Sequence, residues 1–296
     1  MKTLTRLGLF LVITVGFSMA VHAVPKLQVG APASGGNCAT GPYAPYSGSS
    51  SDPTEEQTFI TSGNTLCVTG EYKANLNPLK LGGQFDSGDN YSDHIVPTST
   101  AFDSTDGAIL VATVAEDELA DAIANLSISG ATLITSSTDN SYFPNNHAPT
   151  NQTTSAYLFF DIGNFYDLGL DGAGTAPTDT IVNHTDTADT TIGVNKELTL
   201  QTTGSLSWIH FDVMALLTTC DGTGSDKCGL DAITQLVSTF DTDLINNPGS
   251  HDTTWKPGDD DDDDDDVPSI PEPSILALLG FGLAGVGVFR IRRRQS

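Results

Sequence analysis

Residues 205–214 read SLSWIHFDVM. Ile209, Phe211 and Val213 alternate with Trp208, His210 and Asp212, a period of two that puts the first three on one face of a β-strand and the others on the opposite face. The pattern is that of a half-buried strand. Outward from it, residues 57–60, 65–72, 108–114, 126–135, 156–162 and 191–200 read as further strands, separated by segments rich in Gly, Asn, Asp, Ser, Thr and Pro. Residues 57–60 and 65–72 flank Ser62, Gly63 and Asn64 and predict a hairpin.

Two helices interrupt this pattern. In the first, Thr113 and Glu116 have capping-box spacing, and Leu119, Ala122, Ile123 and Leu126 share a face. In the second, over residues 230–244, Leu230, Ile233, Val237, Phe240 and Leu244 do the same. The expected fold class is mainly β, an antiparallel β-sandwich with one or two short helices at its edge or ends. No fixed-period repeat occurs, which disfavours a solenoid or a propeller. Residues 31–51 read as an irregular segment pinned by Cys38, and residues 140–154 as a long polar loop.

Charge is unevenly spread along the 296 residues, whose formal net charge is −25. Lys2 and Arg6 open the chain and Arg290, Arg292, Arg293 and Arg294 close it; between them lie all 37 acidic residues, six Lys and no Arg. Such a body repels nucleic acid and anionic membrane, and nucleic-acid binding is excluded on that ground.

Residues 1–23 have the order of a secretory signal peptide: basic Lys2 and Arg6, an apolar run over 7–17, and small residues ending at Ala23, with cleavage expected between Ala23 and Val24. That leaves an extracellular β-rich domain over 24–257, roughly 230 residues and long enough for one sizeable core. Export also makes the four cysteines legible. Cys38 with Cys67 and Cys220 with Cys228 are the expected disulfides; the second pair brackets the Gly-rich CDGTGSDKC. Zinc is the rival for these thiols, but neither pair has the spacing of a zinc knuckle and no His lies beside them.

No residue set fixes a catalytic chemistry. After removal of the signal, His94, His147, His184, His210 and His251 remain, none in HExxH spacing. His210 and Asp212 share a strand face, as a base and its orienting carboxylate would, yet no nucleophile or Gly-x-Ser-x-Gly elbow accompanies them. Most of the few Glu sit in exposed contexts, and Trp208 and Trp255 are the only tryptophans a glycan-binding platform could use. Asp-rich loops over 85–93, 171–179 and 221–226 offer oxygen ligands for calcium without matching the EF-hand loop. No metal site and no obligatory cofactor are expected, and the protein reads as non-enzymatic.

The tail, GDDDDDDDDVPSIPEPSILALLGFGLAGVGVFRIRRRQS over 258–296, combines unlike parts. The eight Asp of 259–266 repel one another into a stretched acidic linker, 258–267. Pro271, Glu272 and Pro273 resist helix formation. An apolar stretch from 275 predicts a transmembrane helix over 275–291, its core short for a span of roughly 30 Å but extendable by snorkelling arginine. Arg290, Arg292, Arg293 and Arg294 act as stop-transfer charges. GFGLAG over 280–285 spells a dinucleotide fingerprint, but it follows no strand and lies in an apolar segment.

Val267 and Pro268, then Pro271, Glu272 and Pro273, an apolar Gly-rich segment and terminal arginines together resemble the PEP-CTERM sorting motif of Gram-negative bacteria, also termed an ice-binding protein C-terminal domain. The resemblance covers the segment 268–296 and does not itself bring ice binding. It implies an exosortase-type processing enzyme as partner, a transient anchor in the inner membrane, and release or transfer to the cell surface. HFDVMALL (210–217) and GSHDTTWKPG (249–258) resemble the ectodomains termed choice-of-anchor proteins, type N among them. The expectation is therefore an exported, surface-sorted structural or adhesive protein of the envelope or the extracellular polysaccharide matrix, with a secreted carbohydrate-binding module or hydrolase as the alternative.

Overall fold

The computed structural model describes residues 24–47, 58–73, 78–82, 107–138, 155–169, 174–220, 240–246 and 251–258. The chain parts into two units, Met1–Pro257 and Gly258–Ser296, and the fold described here is that of the first. It is mainly β. The first sheet runs β1 (Leu27–Gly30), β6 (Thr65–Glu71), β14 (Thr190–Thr202) and β13 (Thr180–Val182), with β9 (Ser127–Ser129) also on β14. The larger sheet runs β10 (Thr132–Ser137), β11 (Ser155–Asp161), β8 (Ile109–Ala115), β15 (Ile209–Cys220), β17 (Thr253–Trp255), β5 (Thr58–Thr61) and β4 (Tyr46–Ser47). β7 (Pro78–Leu81) and β16 (Phe240–Asn246) join it on β15, and β12 (Tyr166–Asp167) on β7. β2 (Pro32–Asn37) and β3 (Gly41–Tyr43) form a separate two-stranded hairpin. Pairing is antiparallel except between β17 and β5.

One apolar cluster lies between the two larger sheets. Leu27, Val29, Leu66, Val68, Leu198 and Leu200 of the first sheet meet Leu110, Ala112, Leu158, Phe160, Ile209, Phe211 and Val213 of the second. Burial of side chains this size, each worth about 1.5–3 kcal/mol, is what holds the sheets together. β15 is the spine of the larger sheet, pairing with β8, β17, β7 and β16.

The strand read from residues 205–214 begins at Ile209 and continues to Cys220, and it is buried on both faces rather than one. Opposite Ile209, Phe211 and Val213, the other face carries His210, Asp212 and Met214, each at most 2% exposed. The neighbours explain it: ILVATVA of β8 and SAYLFFD of β11 are near-continuous apolar runs, the pattern of strands covered on both sides.

Several local readings change in the folded chain. β5 and β6 do not pair as a hairpin; β5 joins β17 and β4, whereas β6 joins β1 and β14, so the turn between them crosses from one sheet to the other. Residues 126–135 are two strands, because Gly130 at φ 81° redirects the backbone, a conformation glycine adopts without a Cβ clash; β9 goes to the first sheet and β10 to the larger. Residues 240–244, expected as the end of a second helix, are the start of β16, paired with β15 from Met214↔Asn246 to Cys220↔Phe240. FDTDLIN also alternates with period two, and the long β15 offers ladder partners that settle the ambiguity. The segment after Ala31 is the β2–β3 hairpin rather than irregular chain.

The first helix is a 3₁₀ turn, Glu116–Glu118, leading into α1 (Leu119–Asn125). No capping box forms, because Thr113 is a buried β8 residue and Ala115 takes the cap position without a side-chain bond. Ala122 and Leu126 enter the core, but Ile123 is 47% exposed. α1 instead grips the loop entering β15: Asp121 accepts from the Ser205 amide at 2.9 Å and hydroxyl at 2.8 Å, and Glu118 accepts from the Ser207 amide. The expected transmembrane helix over 275–291 and the polar loop over 140–154 lie outside the described residues. Among the described residues no helix is long and apolar enough to cross a membrane.

Candidate functional site

His210 and Asp212 stand two apart on β15 and so project from one face, as their spacing requires. β17 runs alongside, with Thr254 directly opposite His210. The geometry adds a partner that spacing along β15 could not reveal: Asp252, immediately before β17. His210 Nε2 lies 3.5 Å from Asp212 Oδ2 and 4.0 Å from Asp252 Oδ2, while Nδ1 lies 2.9 Å from Thr254 Oγ1. The three side chains are 2–3% exposed. Their nitrogen and carboxylate oxygens lie within 4.8 Å of one another, an arrangement of one imidazole and two carboxylates able to hold a metal ion. The Asp252 backbone is fixed as well, its carbonyl accepting from the Phe59 amide at 3.0 Å.

A second polar group adjoins the first through the next residue in the chain. His251 Nε2 lies 3.2 Å from Asn183 Oδ1 and 3.4 Å from Thr185 Oγ1, and its carbonyl accepts from the Val29 amide at 2.7 Å. His184 stacks on Tyr43 with ring centroids 4.0 Å apart and meets Phe59 edge-on at 6.1 Å. Burial drives the His184 pKa down to about 3; the nearby His251 adds to the shift and the polar Val29 backbone opposes it. Burial also raises the Tyr43 pKa, and its hydroxyl donates to the Cys38 carbonyl at 2.8 Å.

The Cys38–Cys67 disulfide is present, with Cα atoms 5.2 Å apart, and joins the end of β2 to β6. It packs with Tyr43, Phe59 and Val182 in a small apolar cluster of its own. Cys220 ends β15, but Cys228 and the pairing between them lie outside the described residues.

Trp208 and Trp255 are 6% and 8% exposed, so neither presents a ring to a glycan. Glu71 is buried, with Lys73 at 2.9 Å and the Thr191 hydroxyl donating to it at 3.2 Å. The histidines at 184, 210 and 251 are buried too, His210 on β15 and the other two outside the strands; His94 and His147 lie outside the described residues. So do the calcium-type loops over 85–93 and 221–226 and the first part of 171–179. Val24 is described and buried, whereas Ala23, Val267, Pro268, Pro271, Glu272, Pro273, Arg290, Arg292, Arg293 and Arg294 are not among the described residues.

Residues 269–294 match the family model described as the PEP-CTERM protein-sorting motif. Pro271, Glu272, Pro273 and the four arginines fall inside the match, and Val267 and Pro268 just before it. The match does not reach 210–217 or 249–258, on which the resemblance to choice-of-anchor ectodomains rested, and it speaks of no ice binding. No curated protein and no solved structure matches the chain. What the chain carries is a PEP-CTERM protein-sorting motif, which marks an exported surface protein processed by an exosortase-type enzyme.

Proposed function

We propose that the protein is a non-catalytic structural or adhesive component of the cell envelope or extracellular polysaccharide matrix, exported behind the 1–23 signal peptide and detached from a transient C-terminal membrane helix at its sorting signal. The PEP-CTERM match over 269–294 carries this reading. The two sheets around one core act in it as a β-sandwich body, and the Asp run of 259–266 as the spacer that keeps that body clear of lipid during processing. The burial of Trp208 and Trp255 supports a role other than stacking on sugars. The burial of His210 and Asp212 likewise supports a structural use over general-base chemistry.

Fractionation of the producing cells with mass spectrometry of the mature C-terminus is the test. Mature surface or extracellular protein is expected to end before Arg290; retention of residues 290–296 on all mature protein refutes processing at the tail. The matrix role is read separately, as co-sedimentation of mature protein with isolated extracellular polysaccharide. Recovery of all the protein in the soluble fraction counts against adhesion while leaving processing intact.

A further inference from the structure

His210, Asp212 and Asp252 form, we infer, a buried structural metal site for a divalent ion of zinc's character, clamping the last described strand, β17, to the spine of the larger sheet. Distance is the first argument. Two donors each 2.0–2.2 Å from a tetrahedral ion stand about 3.4 Å apart. Nε2 of His210 stands 3.5 Å from Asp212 Oδ2 and 4.0 Å from Asp252 Oδ2, so an ion among the three is reached by small side-chain rotations.

The ring's other nitrogen is the second. Nδ1 of His210 lies 2.9 Å from Thr254 Oγ1, an oxygen able to accept its proton; in that tautomer Nε2, the nitrogen nearer the carboxylates, carries the lone pair. A hydrogen bond on the remote ring nitrogen is the usual support of a metal-bound imidazole.

Charge is the third. A divalent ion held by a neutral imidazole and the two carboxylates matches their charge in a buried place. Mixed imidazole and carboxylate donors suit zinc, while calcium takes oxygen donors in greater number.

Thr113 supplies an independent observation. It faces His210 across the β8–β15 ladder, so the two side chains share a sheet face at a Cβ separation of about 5 Å. Thr113 is 0% exposed, and its Oγ1 has no hydrogen-bond partner among the described residues. That hydroxyl is placed to hold a water in the fourth position of the ion.

The experiment is metal analysis of the mature exported protein, purified without chelator, beside a version with residues 259–266 changed to Asn so that ions on the acidic run are not counted. About one zinc per chain is expected in both, falling at least tenfold in Asp252→Asn and His210→Gln, and dialysis against chelator should lower the melting temperature of the unmutated chain. Cobalt(II) in place of zinc should give the visible bands of a four-coordinate ion; this readout needs no variant, so it decides the matter even where the substitutions prevent folding. Zinc that disappears with the acidic run, equal zinc in folded variants and parent, or a cobalt spectrum of six-coordinate solvent type would each overturn the site and leave a proton-sharing His–Asp cluster only.

Discussion

At the scale of single residues, His184 shows what burial does to a titrating group. Its ring stacks on Tyr43 at an interplanar angle of 30° and lies close to Gly30, where a Cβ would come within 2.5 Å of His184 Nδ1; the glycine is what lets the imidazole in. Unfolded, the ring takes a proton near pH 6.5; folded, only near pH 3. Between those values the unfolded chain binds more protons, so this residue's contribution to stability is complete above pH 6.5 and is lost as pH falls toward 3. The slope from one such group approaches ~1.4 kcal/mol per pH unit. His184→Phe keeps an aromatic ring against Tyr43 and removes the titration. Urea unfolding of the two proteins from pH 7 to pH 4 should give a shallower decline for the variant, and parallel declines would refute the assignment. His251 and Tyr43 are the titrating groups that face His184, and both are retained in the comparison.

For the elements, β15 decides most. Its Phe211 is wholly buried between the sheets, so Phe211→Ala should cost about 3–5 kcal/mol from lost burial and the cavity left behind. Ile192 on β14 is 46% exposed, and Ile192→Ala should stay within about 0.5 kcal/mol of the parent. Denaturant midpoints at constant slope measure both, and comparable losses would show that Phe211 is not central to the core. The alternation in SLSWIHFDVM identified this strand, but not the cover on its second face, which is written in the apolar runs of β8 and β11 instead. Likewise the helical spacing read over 230–244 competes with the period-two pattern of FDTDLIN, and pairing with β15 prevails for the last part of it. Local pattern sets what an element can be; the partner sets which of two compatible forms it takes.

For the molecule as a whole, the Cys38–Cys67 bridge ties the β2–β3 hairpin to the first sheet, supported by Tyr43 and Asn195, which both donate to the Cys38 carbonyl. With the cysteines at a sequence separation of 29, loop-closure entropy puts the loss on removing the bridge at about 3.5 kcal/mol. Cys38→Ala with Cys67→Ala should lower the unfolding free energy by roughly 2–4 kcal/mol, and reduction of the parent should reproduce much of the fall. Unchanged denaturant midpoints in both would mean that the hairpin is held by packing alone.

Sequence alone was enough for the sorting tail, because spacer, Pro-Glu-Pro triplet, apolar segment and arginines must follow one another along the chain, and order is what a sequence records. It was enough too for the β class, where short-range alternation carries the signal, whereas the Cys38–Cys67 bridge, one of the three pairings that four cysteines allow, is seen in the folded chain. Tertiary structure decided that β5 and β6 part company into different sheets and that Asp252 comes to rest beside His210. Those outcomes depend on which distant strands lie side by side: β17 pairs antiparallel with β15 and parallel with β5. No periodicity within either segment encodes that choice, since it follows from filling one core between two sheets.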